Sequence, residues 1–219
     1  MLIRPAIGFD TTGERVDIKY SDEVDFETLD MFQKSHYKRY EFALERINKN
    51  DVCGDLACGT GYGSAMLAKK AWQVIGVDLN KKVIQAISKR YKKIKNVQFS
   101  NKNLLDLSLD NVFDAIISFE TIEHFTEQDI VKLLGIYNKS LKQNGRLIIS
   151  TPYKQERDEA ALKLGHHLTF YIDEQMITGW LTNAGFEVEF FNYQNYATHT
   201  ISTALINKDF VIGVAKKIK

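Results

Sequence analysis

The chain has 219 residues, with 29 Lys and Arg against 28 Asp and Glu, a formal net charge of +1 at pH 7 and 44% hydrophobic residues. A chain of this length without a proline-rich or serine-rich linker is expected to form one domain over 1–219, burying roughly 70 per cent of its unfolded surface. Balanced, interspersed charge gives no electrostatic basis for a nucleic acid or an anionic membrane as the main partner. Two cysteines, Cys53 and Cys58, fit neither a redox pair nor a zinc site by spacing, and both are expected as reduced core residues. Met1 to Pro5 opens no apolar stretch long enough for a signal peptide, and nowhere do eighteen apolar residues run together, so a soluble, cytoplasmic protein is expected.

After an irregular opening through Tyr20, apolar residues at helical spacing predict an amphipathic helix over Phe26 to Lys49. Strand and helix then alternate: strand Val52 to Ala57, helix Tyr62 to Lys70, strand Gln73 to Asp78, helix Lys81 to Lys93 and strand Val97 to Ser100. The basic run Lys89 to Lys95 falls at a helix end, where cations suit the dipole and face solvent. A buried strand follows at Phe113 to Ser118, then a helix from about Thr126 to Ser140 and, after the turn Gln143-Asn144-Gly145, a strand at Arg146 to Ser150. Tyr153 to His167 is expected as a loop or short helix, and a capped helix runs from Ile172 to Ala184, ended by Gly185. Strands Phe186 to Phe191 and Phe210 to Val214 complete the pattern. The polar stretch Asn192 to Asn207 is too long for a simple hairpin and is a candidate cover for a substrate mouth. Trp72 and Trp180 are expected to pack. Helices between apolar strands imply an α/β fold with a parallel sheet.

The segment Val52 to Ser64, V-C-G-D-L-A-C-G-T-G-Y-G-S, joins a strand to a glycine-rich turn and a helix. Gly59, Gly61 and Gly63 let backbone N–H groups approach a nucleotide-like ligand. Asp55 precedes the turn, and Asp78 closes the next strand, where an acid suits a pair of ribose hydroxyls. The dinucleotide register G-x-G-x-x-G would place Ser64 at its third glycine, which leaves a nicotinamide enzyme the weakest of the readings. In a doubly wound sheet, residues just after each strand face the ligand. They are Ala57, Cys58, Gly59, Gly61 and Tyr62, then Asp78 and Leu79, then Asn103 and Leu104, then Ser118 and Phe119.

The passages D-L-A-C-G-T-G-Y-G-S, G-V-D-L-N, F-D-A-I-I-S-F-E-T-I-E-H-F and N-G-R-L-I-I-S-T-P resemble class I S-adenosylmethionine-dependent methyltransferases, from roughly Tyr37 to Phe191. The resemblance implies a doubly wound, seven-stranded, mostly parallel Rossmann-like sheet with its last strand antiparallel. It implies that Asp55 and the Gly59 to Gly63 turn hold the methionine moiety and that Asp78 holds the ribose. The helical segment within 1–49 then serves as a cap over the cofactor, with Arg39, Tyr40 or His36 as contacts for its carboxylate. Asn103 stands where the family usually has an aspartate, so adenine recognition would lose charge assistance, worth about 1 kcal/mol; Asp106 is a possible substitute.

Immediately after the fourth strand stands Glu120-Thr121-Ile122-Glu123-His124. If Glu120 begins a helical turn, Glu123 and His124 fall on its face. Two carboxylates and an imidazole there can hold a divalent cation such as Mg or Mn, with His166 or His167 as a further ligand. E-x-x-E-H with a later H-x-x-F resembles two metal-dependent groups, the ubiquinone-pathway O-methyltransferases and the small-RNA 3′-end 2′-O-methyltransferases, and the second match points to His167. The open alternatives are a metal site of Glu120, Glu123, His124 and His167, a metal-free histidine base with Glu120, His124 and His167 catalytic, and capping roles for all of them.

Gly13-Glu14-Arg15, His36 to Tyr40 and Ser118 to His124 resemble bacterial methyltransferases of surface-sugar and capsule pathways. The expected activity is O-methylation of a small or medium acceptor, such as a sugar or nucleotide-linked precursor of a surface polysaccharide. The rival readings are an RNA 3′-end 2′-O-methyltransferase, which the near-neutral charge disfavours, and a non-catalytic module that binds S-adenosylmethionine.

Overall fold

In the computed structural model, which describes residues 15–18, 24–164 and 166–219, the chain divides into two compact units, Met1–Asp106 and Leu107–Lys219. In the first, the expected long helix breaks at its start. Phe26–Thr28 is a single 3-10 turn, and α1 begins at Met31 because Asp30 and Gln33 form a reciprocal capping box that sets the helix start there. Helix α1 (Met31–Arg46) precedes β1 (Val52–Leu56), α2 (Tyr62–Leu67), β2 (Gln73–Asp78), α3 (Lys81–Arg90) and β3 (Val97–Asn101). The three strands are parallel in the order β3-β2-β1, with a helix in each crossover between them. Asn80 caps α3 by accepting from the Lys82 and Val83 amides, and Lys89 and Arg90 fill its last turn. The basic run is not wholly a solvated face, since Arg90 forks onto both carboxylate oxygens of Asp17 at 2.6 and 3.1 Å.

Cys58, Ala65, Val83, Ile84, Ile87 and Tyr91 form one buried cluster, with Phe99 and Ile94 packed against it, and this cluster seats the glycine turn on the sheet. Both cysteines are buried thiols outside any disulfide, as expected. Gly61, the N-cap of α2, has φ +74°, and Gly63 meets the Tyr40 ring so closely that a Cβ would lie 1.9 Å from its Cζ. Trp72 is not a packing residue; it is 70% exposed, whereas Trp180 is buried.

The second unit contains β4 (Phe113–Phe119), a 3-10 turn at Ile122–His124, α4 (Glu127–Ser140), β5 (Leu141–Pro152), α5 (Glu159–Leu164), α6 (Glu174–Asn183), β6 (Phe186–Gln194), β7 (Ile201–Ser202) and β8 (Phe210–Lys217). Their order is β4-β5-β8-β6-β7, with β4 and β5 parallel and β8 antiparallel to both of its neighbours. The fold is therefore α/β and mostly parallel, with a final antiparallel strand. Eight strands appear among the described residues rather than seven, because part of the polar stretch pairs as β7 on the edge of β6. The expected turn at Gln143-Asn144-Gly145 lies inside β5 as a bulge: Phe113 pairs with Leu141, Ala115 with Arg146, and Asn144 takes φ +63° between them. No helix among the described residues is long and apolar enough to cross a membrane.

Two glycines separate contact from propensity. Gly63→Ala drives a methyl into Tyr40 and is expected to lower stability by about 1–3 kcal/mol. Gly135→Ala, in α4 with nothing within 4 Å of the new Cβ, is expected to raise it by up to about 1 kcal/mol. Urea denaturation of the two variants beside the parent checks both signs.

Candidate active site

The turn after β1 is held from below by backbone. Ala57, at φ +68°, and Cys58 both donate their amides to the Val77 carbonyl at 2.9 Å. Asp55 is 1% exposed, and its carboxylate accepts from the Tyr40 hydroxyl at 2.9 Å and the Ser64 hydroxyl at 2.5 Å. Burial raises the Asp55 carboxyl to about 6, partly offset by these two hydrogen bonds. Tyr40, on α1, thus links the helix to the turn, and its ring meets Tyr62 edge-on at 5.3 Å. Arg39 is fully buried on the same helix. Burial, with the Arg39 charge adding, holds the His36 imidazole well below its ordinary range.

Asp78, 5% exposed at the end of β2, accepts from the Gly59 amide at 3.1 Å, the Asn80 amide at 2.8 Å and the Arg15 guanidinium at 3.1 Å. The turn and Asp78 are thereby brought into one group. Leu79 is 69% exposed, and its carbonyl accepts from the Asn101 side chain. Leu104 is buried. The Asn103 amide oxygen accepts from the Leu105 amide at 3.0 Å, and its carbonyl from the Asp106 amide, so both of its oxygens cap a local turn.

In the second unit, Ser118 is fully buried and its hydroxyl bonds the Tyr137 hydroxyl at 2.9 Å, while Phe119 is buried. Glu120 departs from expectation. It takes φ +50° and stands outside the helical turn, which begins only at Ile122. Its carboxylate accepts from Ser150 at 2.7 Å, and its amide donates to the Ser150 carbonyl. Among the described residues, the group able to hold a cation is Glu123, His124 and His167, whose ligand atoms lie within 4.8 Å of one another, without Glu120. Segment 166–169 is laced to the turn, since the Leu168 and Thr169 amides donate to the Glu123 carbonyl and Thr169 Oγ1 donates to that of Phe125.

This lacing puts the His124 and His167 rings edge-to-face at 5.0 Å. His124 Nδ1 bonds the His166 carbonyl at 3.0 Å, and His167 Nδ1 bonds Gln155 Oε1 at 2.6 Å. Both Nδ1 atoms donate, so neutral rings carry their lone pairs on Nε2. Burial, with His124 and His166 adding, lowers His167 to about 4, which keeps it neutral at pH 7. The Glu123 carboxylate, 2% exposed, accepts from Thr151 at 3.0 Å. Arg15, Ser64, Ser150, Thr151 and Gln155 complete these networks without having been singled out for them. Of the Gly13-Glu14-Arg15 opening, Gly13 and Glu14 lie outside the described residues. His199 lies in the turn between β6 and β7. Tyr196 lines a shallow cavity of about 490 Å³ with Asn195, Ile206 and Lys208.

Residues 54–145 match the model of the methyltransferase domain family. The fold is that of class I S-adenosylmethionine-dependent methyltransferases. A probable S-adenosylmethionine-dependent methyltransferase of Mycolicibacterium smegmatis is 29% identical over 161 residues, covering 70% of this chain and 60% of its own. One of Mycobacterium tuberculosis is 30% identical over 158 residues, covering 70% and 54%. The chain thus spans little more than half the length of these curated relatives. Among solved structures, the N-methyltransferase NodS of Bradyrhizobium japonicum in complex with S-adenosyl-L-homocysteine aligns at a TM-score of 0.68 and 15% identity, covering 92% of this chain and 94% of that one. That likeness is one of fold.

The buried Asp55 sets a pH dependence. Between about pH 4 and 6 the native Asp55 keeps a proton that the unfolded chain has released, so stability falls as pH rises through that window and levels off above it. The contribution is about 3 kcal/mol. Chemical denaturation from pH 4 to 7 is expected to show this slope in the parent and to lose it in Asp55→Asn.

Proposed function

We propose that the protein transfers a methyl group from S-adenosylmethionine to a hydroxyl oxygen of a small or medium acceptor, with a sugar or nucleotide-linked precursor of a surface polysaccharide as the favoured class. The methyl transfer rests on the turn at Gly59–Gly63 with its two acids, on the family match over 54–145 and on the relatives' printed activity. The observation that carries the choice of a hydroxyl is the trio Glu123, His124 and His167. A sulfonium supplies an already activated methyl, so the protein's tasks are alignment, exclusion of water and removal of the acceptor's proton. A neutral imidazole whose Nδ1–H is held by a carbonyl presents Nε2 as the proton acceptor, and both His124 and His167 are held this way. As the acceptor oxygen bonds to the methyl carbon, its proton goes to Nε2 and the carbon–sulfur pair leaves with sulfur. The sugar class is supported by the motif resemblance alone, and the net charge of +1 favours a small acceptor over an RNA end.

The same trio suits a divalent cation. Two imidazoles and a carboxylate match Mn or Zn better than Mg, which prefers an all-oxygen shell. With a cation, the two histidines and Glu123 would hold it, and it would lower the acceptor hydroxyl's pKa.

Labelled S-adenosylmethionine incubated with candidate nucleotide-linked sugars, with and without chelator, is expected to place label in the sugar; transfer only to RNA, or none to any hydroxyl, overturns the acceptor class. His124→Ala and His167→Ala are each expected to cut turnover by about a hundredfold or more. S-adenosylhomocysteine affinity, read by calorimetry, should stay at the parental value in both. Loss of activity on chelation that Mn restores and Mg does not would assign the trio to a metal.

A further inference from the structure

Residues 15–18 are bound to the first unit at four places. Arg15 Nη2 meets Asp78 Oδ1 at 3.1 Å, and the Val16 carbonyl accepts from the buried Thr60 hydroxyl, inside the glycine turn, at 2.9 Å. Asp17 takes the Arg90 fork from α3, and its carbonyl accepts from Gln33 of α1 at 2.7 Å. Ile18 is fully buried. This short segment therefore crosses the glycine turn and is fastened to the turn, to α1 and to α3. Arg15 Cγ stands 3.9 Å from where a Cβ on Gly59 would be.

One polar atom in this strap lacks a partner. Arg15 Nε is shielded from solvent with no hydrogen-bond acceptor among the described residues, although the side chain as a whole is 25% exposed. A shielded N–H without an acceptor is costly and is normally met by protein, water or ligand. The Asp78 carboxylate only accepts, the Arg15 guanidinium only donates, and a hydroxyl does both. An Asp–Arg pair at the end of β2 is therefore complementary to a vicinal diol, each hydroxyl able to give its proton to the acid and take one from the guanidinium.

We propose that residues 15–18 are a strap over the nucleotide turn and that Arg15 is a cofactor-binding residue, its Nε–H donating to a ribose oxygen while Nη2 stays on Asp78. This rests on the reading of the turn as the S-adenosylmethionine site. Arg15 then selects for an intact ribose.

Calorimetric titration with S-adenosylhomocysteine and with its 2′,3′-dideoxy analogue tests the assignment. The parent is expected to prefer the hydroxylated ligand. Arg15→Ala is expected to weaken that ligand about tenfold or more, with little effect on the dideoxy analogue and on the ligand-free melting temperature. Should Arg15→Ala fold poorly, Arg15→Lys carries the same test, because it keeps the charge and loses the Nε donor. Parental affinity in the variant, or an undiminished preference for the diol, overturns the role of Arg15 and leaves the cofactor reading standing. Absence of binding by well-folded parent protein overturns the cofactor reading, and the strap's role falls with it.

Discussion

The buried carboxylate of Asp55 is the constraint around which the first unit is organised. Both of its oxygens are engaged, one by a tyrosine from α1 and one by a serine from the first turn of α2. Those bonds fix where α1 lies against the turn. Gly63 must then be glycine, because the Tyr40 ring occupies the space a side chain would need. A pattern that looks like three interchangeable glycines thus divides into separate demands. Gly61 supplies a left-handed N-cap, and Gly63 leaves room for a ring. Removing water from the acid raises its proton affinity, so the junction that holds the turn is also its pH-sensitive point.

In the second unit a comparable part is played by segment 166–169, which returns to the Ile122–His124 turn through main-chain bonds to Glu123. Those bonds are made by backbone, so they do not depend on the identity of the neighbouring side chains. Each imidazole is then oriented by a carbonyl oxygen, one from His166 and one from Gln155. Ring orientation and tautomer are settled together, which suits either proton removal or ligation.

The strands, their order of appearance and the glycine turn were legible because short apolar runs bounded by glycine and polar residues carry their own signal, and the spacing of Asp55 and Asp78 about the turn reinforces it. The elements that departed from expectation did so where a local choice depends on a distant partner. Glu120 belongs to a run that scans as one helical turn, yet Ser150 on β5 bonds both its backbone and its side chain and leaves it in a left-handed conformation. The Gln143-Asn144-Gly145 turn scans as a strand boundary, but pairing of Leu141 with Phe113 carries the strand past it. The Asn103 side-chain oxygen, expected at an adenine amino group, accepts from the Leu105 amide of its own loop and keeps a second lone pair. Arg15 shows the opposite case, since nothing local in the sequence marks a residue whose partner is Asp78.

The position of β8 has a consequence for how the molecule comes into being. This strand is the last in chain order and lies between β5 and β6. Its neighbours β5 and β6 therefore lack their shared partner until residues 210–217 have been synthesised. The first unit faces no such delay, for β1, β2 and β3 are added in the sequence in which they pair. Emergence of the nascent chain thus gives the glycine turn its framework well before the histidine-bearing unit can close its sheet.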